Sequence, residues 1–145
     1  MTVRFPLSIA SAIVAQAVAE APLEACGILV GSAPWADDGR PLRYVPCRNC
    51  WASPTRFEAH PDDLRRVLLE TDRAGEVFWA IVHSHVRTPA VPSPTDIGQA
   101  PWWPGSLWVL VSLAADQVDP LTGAPSVRCW SIDGAGAREL PLEIE

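Results

Sequence analysis

The sequence lacks a basic cluster, an internal repeat, a low-complexity tract and any apolar run of membrane-spanning length. The last absence excludes a transmembrane helix. The first, with a formal net charge of −6, excludes a nucleic-acid surface. Without repeats or linker-like stretches, residues 1–145 read as one domain, long enough to bury a core without disulfides or a structural metal. Apolar residues at 48% against charged residues at 19% describe a compact soluble chain, not a disordered one.

A secretory signal is only faintly present. Arg4 precedes an apolar stretch, Leu7 to Ala19, and Ala-x-Ala triplets lie near Ala15 to Ala21. Ser8, Ser11 and Gln16 interrupt that stretch, and cleavage near Ala21 would leave Glu24 almost at a free terminus. Ile9, Ile13 and Ala17, with Val14 and Val18, instead suit an amphipathic helix packed on a sheet. The expected location is cytoplasmic, with no membrane partner.

Cysteine is scarce, at four residues. Cys26 and Cys129 stand alone in apolar segments and read as buried packing residues. Pro46-Cys47-Arg48-Asn49-Cys50 matches half of the zinc deaminase signature, which also needs a His-x-Glu ahead of the cysteines. The nearest histidine, His60, follows them and precedes Pro61-Asp62, so the order excludes that chemistry. With no second cysteine pair there is no four-ligand zinc site, and the two are expected to be loop thiols.

Histidine is scarcer still, yet two of the three are spaced as His83-Ser84-His85. They follow the strand-like run Val77-Phe78-Trp79-Ala80-Ile81-Val82. Residues two apart on a strand share a face, so both imidazoles can aim at one point. Pro89, Pro92 and Pro94 stiffen the loop beyond, which can bring Asp96 in as an oxygen ligand. Two histidines and a carboxylate leave a fourth position for water, the makeup of a catalytic zinc site. A plainer reading makes the histidines surface residues and Ser93-Pro94-Thr95-Asp96 a helix start, with Ser93 as N-cap. The cap and the metal are compatible, since a helix N-terminus fixes where Asp96 points.

His-x-His, seven residues, Ser, two residues, Asp resembles the signature of the JAMM (MPN+) metallopeptidases. Pro22-Leu23-Glu24-Ala25-Cys26-Gly27-Ile28-Leu29-Val30-Gly31 is similar to the Pro-x-Glu-x-Cys-Gly-x-Leu-x-Gly segment of their bacterial members. The likeness covers most of the chain, including Phe57 to Pro61 and the terminal strands. Val86 departs from it, where many bacterial members carry Pro; a small change in loop shape is expected. The resemblance implies an α/β fold, a mixed β-sheet flanked by helices of the JAMM/MPN (cytidine-deaminase-like) type. It implies Zn2+ on His83, His85 and Asp96, Glu24 as general base, and Ser93 as hydrogen-bond donor to the oxyanion. Ser84 points away from the histidines and reads as structural. The implied reaction is hydrolysis after the C-terminal Gly-Gly tail of a ubiquitin-like or sulfur-carrier protein, with release of an amino acid such as cysteine. The alternative is a non-catalytic MPN-type scaffold that binds a ubiquitin-like partner.

The expected elements are a short edge strand over Thr2 to Phe5, a helix over Leu7 to Ala19 and a buried strand over Cys26 to Val30. A turn over Ser32 to Arg40, a strand over Leu42 to Pro46 and a short strand over Thr55 to Ala59 follow. Pro61 to Ala74 reads as a helix with Leu64, Val67 and Leu68 on one face and Gly75 past its end. Strands over Phe78 to His83, Leu107 to Leu113, Ser126 to Ile132 and Glu139 to Ile144 complete the sheet. His60 is expected at the surface. Of the seven tryptophans some are expected at a contact surface, and Trp102-Trp103 reads equally as a docking patch or as a cap on the core.

Overall fold

A computed structural model describes residues 1–145. A six-stranded mixed sheet carries the chain, with helices on both faces, so the expected α/β architecture stands. Its strands are β2 (Cys26–Gly31), β3 (Pro41–Cys47), β4 (Val77–His85), β5 (Leu107–Ser112), β6 (Ser126–Asp133) and β7 (Gly136–Leu140), in the order β3-β2-β4-β5-β6-β7. Only β4 and β5 are parallel neighbours. They are joined through α3 (Pro94–Gln99), which carries the chain back across one face. β1 (Val3–Phe5) pairs in parallel with β8 (Leu142–Ile144) as a separate two-stranded sheet.

Each face of the large sheet buries its own apolar layer. α1 (Leu7–Glu20) packs Ile9, Ala10, Ile13 and Ala17 onto Leu29, Ala80, Val82 and Val109. Gln16 ties this helix to the sheet by donating to the Cys26 carbonyl and accepting from the Tyr44 hydroxyl. Opposite lie Ile28, Ile81, Trp108 and Leu110, covered by Val67 of α2 (Pro61–Ala74), by Phe57 and by Ala100. A bulge lets Val30 pair with Phe78 while Leu29 pairs with Ala80, which turns Trp79 toward the α1 face. From Ala80 onward the alternation is regular, so Ile81, His83 and His85 share the α2 face.

Several expectations need correcting. Thr55 to Ala59 is not a strand; only an Asn49–Ala59 bridge forms there. The Asn49 side chain takes over the pairing: its oxygen accepts from the Trp51 and Glu58 amides, and its nitrogen donates to the Glu24 and Arg56 carbonyls. The strand expected over Glu139 to Ile144 is broken at Pro141, and β8 leaves to pair with β1. The Ser32–Arg40 turn contains a short 3-10 helix, Trp35–Asp37. Val18 and Leu68 are exposed, not core-facing. On α2 the buried stripe is Asp63, Val67 and Thr71, because Asp63 turns inward to accept from the Arg48 amide and guanidinium. Cys47 is not a loop thiol but a buried residue ending β3. His60 lies where expected, as the N-cap of α2, accepting from the Asp62 amide. No helix is long and apolar enough to cross a membrane.

Candidate metal centre

β4 runs through both histidines before it ends, two residues further than the sequence pattern suggested. His83 and His85 are therefore held by the sheet ladder, His83 opposite Cys26 on one side and Leu110 on the other. Their Nε2 atoms lie 3.2 Å apart. The chain then loops over residues 86–92 and enters α3 at Ser93. That loop is pinned from below: Ser112 Oγ donates to the Thr88 carbonyl, and Trp130 Nε1 donates to the Ala90 carbonyl.

The start of α3 is a capping box. Ser93 Oγ accepts from the Asp96 amide at 3.1 Å, and Asp96 Oδ2 accepts from the Ser93 amide at 2.8 Å. The expected cap at Ser93 forms and aims Asp96 into the histidine pair, while the histidines are buried and not the surface residues of the plainer reading. Its Oδ1 is 3.1 Å from His83 Nε2 and its Oδ2 is 3.2 Å from His85 Nε2. The cap leaves the Ser93 hydroxyl proton free to donate elsewhere.

These three side chains are buried, and they are the group whose ligand atoms converge, all within 4.8 Å of one another. A tetrahedral zinc with bonds of about 2.0–2.1 Å to nitrogen and oxygen has ligand atoms about 3.3 Å apart. The separations of 3.1–3.2 Å fit that geometry without rearrangement. His85 Nδ1 sits 2.7 Å from the Pro89 carbonyl. A carbonyl only accepts, so Nδ1 carries the proton, and in the neutral ring Nε2 keeps its lone pair for the centre. His83 Nδ1 is buried without a partner. Its ring is oriented by packing instead: Phe57 stacks on it at 4.3 Å and Trp108 meets it edge-on at 5.9 Å.

A family model described as prokaryotic homologs of the JAB domain matches residues 6–133. The chain belongs to that family. Relatives of this JAB-domain protein include the CysO-cysteine peptidase of Mycobacterium tuberculosis, 40% identical over 102 residues, which span 70% of this chain and 67% of the relative. The desampylase of Pyrococcus furiosus is 30% identical over 95 residues, covering 66% of this chain and 64% of the relative. A solution structure of a protein from Desulfitobacterium hafniense superposes with a TM-score of 0.80 at 27% identity, over 100% of this chain and 93% of the other. A JAB1/MPN domain protein from Archaeoglobus fulgidus shares the fold, with a TM-score of 0.57 at 17% identity over the whole of both chains.

Glu24 precedes β2 in this JAB-domain protein. The ladder pairs Cys26 with His83, and Ala25 and Ser84 exchange backbone and side-chain hydrogen bonds, which brings Glu24 level with His85. Ser84 is thus structural, as read from the sequence: its Oγ accepts from the Ala25 amide and anchors the residue beside Glu24. The Glu24 backbone is clamped on its other side by Ser53 and Asn49. Glu24, His85 and Ser93 line a polar cavity of about 310 Å³.

The electrostatics separate the two carboxylates. Burial pushes the Glu24 carboxyl up to about 7; His85 opposes the rise and Asp96 adds to it. Burial also acts to raise Asp96, but hydrogen bonds from His83, His85 and the Ser93 amide override it and hold that carboxyl far below the usual range. His83 is lowered, because burial outweighs its bond to Asp96. His85 is raised, its contacts with Asp96, Pro89 and Glu24 outweighing burial. One carboxylate is thus fixed as an anion among the histidines, while the other is poised to exchange a proton near neutral pH.

The rival cysteine pair gathers no third ligand. Cys47 is buried and pushed up to about 11 by burial and the nearby Asp63, while Cys50 is exposed. Cys26 and Cys129 are packing residues, as expected. Trp102 and Trp103 divide between the two readings offered: Trp102 is 80% exposed, whereas Trp103 stacks on Phe78. Asn49 and the Pro89 carbonyl were not legible from local pattern, and Phe57 barely so. Asn49 and Phe57 act through tertiary contacts and the Pro89 carbonyl through the backbone; only the position of Phe57 inside the family-like stretch marked it at all.

Proposed function

We propose that this protein is a zinc-dependent peptidase acting as one domain. It hydrolyses the peptide or isopeptide bond that follows the C-terminal Gly-Gly tail of a ubiquitin-like or sulfur-carrier protein, releasing an amino acid such as cysteine. The observation that carries this reading is the convergence of His83, His85 and Asp96 beside a separately buried Glu24 in one cavity. The names of the relatives, a CysO-cysteine peptidase and a desampylase, support the substrate class. The exposed Cys50 thiol suits a reducing, cytoplasmic setting.

His83, His85 and Asp96 are the residues that would hold zinc, which supplies a Lewis acid and an acidified water. Glu24 takes a proton from the attacking water and returns it to the leaving amine, a task matched to a carboxyl near 7. Ser93 donates its free hydroxyl proton to the oxyanion while its oxygen continues to cap α3. The polar cavity receives the substrate around the scissile bond, and an extended tail can add along a strand edge beside it.

The test is incubation of zinc-loaded protein with ubiquitin-like carriers extended by one residue beyond Gly-Gly, followed by intact mass. Loss of that residue, stopped by a chelator and absent in Glu24→Gln, is expected. A partner bound equally with and without metal, and never cut, supports the scaffold alternative instead.

A further inference from the structure

The cavity that holds Glu24, His85 and Ser93 also contains Arg87 and Thr88. At about 310 Å³ it has room for far more than the attacking water, whose share of liquid volume is about 30 Å³. Arg87 is the cavity's only cationic residue apart from the histidine ligand. It lies on the loop whose neighbouring carbonyls are fixed, Thr88 by Ser112 and Pro89 by His85. The side chain itself has no partner. Arg4, Arg43, Arg48, Arg65, Arg66 and Arg128 sit in ion pairs and Arg56 lies over the Trp51 ring; Arg87, like Arg40, Arg73 and Arg138, contacts no carboxylate, and of these four it alone lines this cavity. Although Glu24 shares the cavity, no ion pair links the two. A guanidinium on a loop held at the next two residues and free at its tip, in a chain of net charge −6, is a ready receptor for an anion.

We propose that Arg87 is a specificity-determining residue that binds the α-carboxylate of the leaving amino acid. This rests on the peptidase reading given above. When the residue after Gly-Gly is joined through its α-amino group and ends the chain, a carboxylate lies one carbon beyond the scissile nitrogen. A lysine joined through its side chain presents no carboxylate there. In hydrolysis the water oxygen bonds to the glycine carbonyl carbon, the carbon–nitrogen bond breaks, and the nitrogen gains a proton. The products are a carrier ending in Gly-Gly and a free amino acid, whose carboxylate pairs with Arg87 throughout. The site therefore favours removal of a single C-terminal residue over cleavage of a lysine isopeptide.

The experiment compares two carriers ending in Gly-Gly-alanine, one with a free C-terminal carboxylate and one with a carboxamide, on zinc-loaded wild type, Arg87→Ala and Arg87→Lys. Wild type is expected to prefer the free carboxylate by about ten- to a hundredfold in kcat/KM, the range of a charge-assisted pair. Arg87→Ala loses that preference, its kcat/KM on the free carboxylate falling to the level of its own carboxamide cleavage, and Arg87→Lys retains part of it. Because the side chain is exposed and unpartnered, zinc content and melting temperature stay unchanged in both variants. Equal losses on both carriers in Arg87→Ala, or a wild type without preference, overturn the assignment to Arg87 alone. A zinc-loaded wild type that cuts neither carrier overturns the peptidase reading and this one with it.

Discussion

Replacing Glu24 with glutamine isolates the cost of burying a carboxylate beside Asp96. The side chain is 5% exposed, and its carboxyl rises from the ordinary 4.5 to about 7. Because the folded value lies above the unfolded one, the native state binds the proton more tightly. Stability from this group is full at low pH and is lost as pH climbs through about 7. At about 1.4 kcal/mol per pH unit the penalty above pH 8 approaches about 3.5 kcal/mol; solvent reaching the carboxyl through the cavity screens this to about 2 kcal/mol. Near pH 5 it falls to less than about 1 kcal/mol, since the folded carboxyl is protonated and the unfolded one only partly ionised. Glutamine keeps the shape and never ionises. Urea unfolding of chelator-treated wild type and Glu24→Gln at pH 5 and pH 8.5 should show the variant gaining about 2 kcal/mol at the higher pH and little at the lower. A difference that ignores pH, or a variant less stable at pH 8.5, refutes the reasoning. With zinc present the same variant should lose about a hundredfold or more in rate.

Three further outcomes follow from the packing. Ser93→Ala removes both the cap of α3 and the free hydroxyl, so melting should report about 1 kcal/mol of lost stability and kinetics about a hundredfold lower kcat; Ser93→Thr should restore both. Phe57→Ala deletes the ring stacked on His83, which should cost about 3 kcal/mol by denaturation and weaken zinc about tenfold in a competition titration. Trp102→Ala should leave stability within about 0.5 kcal/mol, whereas Trp103→Ala, which breaks the stack on Phe78, should lower the melting temperature.

The candidate metal residues were legible because two simple periodicities converge on them. Alternation along β4 put His83 and His85 on one face, and Ser93-Pro94-Thr95-Asp96 announced a capped helix start. Glu24 was legible only through family likeness, since a carboxylate before a strand has many uses; its burial arises from Asn49 and Ser53, contacts across 25 and 29 positions that no local pattern encodes. The boundaries that failed share a cause. Thr55 to Ala59 looked extended, but the Asn49 side chain supplies the hydrogen bonds a neighbouring strand would have given. Pro141 broke the last strand so that β8 joins β1, a pairing between the chain's two ends that local propensity cannot signal. Leu68 matched helical spacing, yet the helix is rotated by the Asp63–Arg48 contact, a polar anchor stronger than one more half-buried leucine. Arg87 carries no pattern at all; its interest comes from standing unpaired in the cavity that Glu24 and Ser93 line.

In the proposed peptidase, His83, His85 and Asp96 hold the metal. Metal content by mass spectrometry on purified wild type, His83→Ala and Cys47→Ala tests this most directly. One zinc per chain in wild type and Cys47→Ala, lost in His83→Ala, is the predicted result. Zinc that survives His83→Ala and vanishes with Cys47 contradicts the site, and the non-catalytic scaffold would then be the reading to pursue.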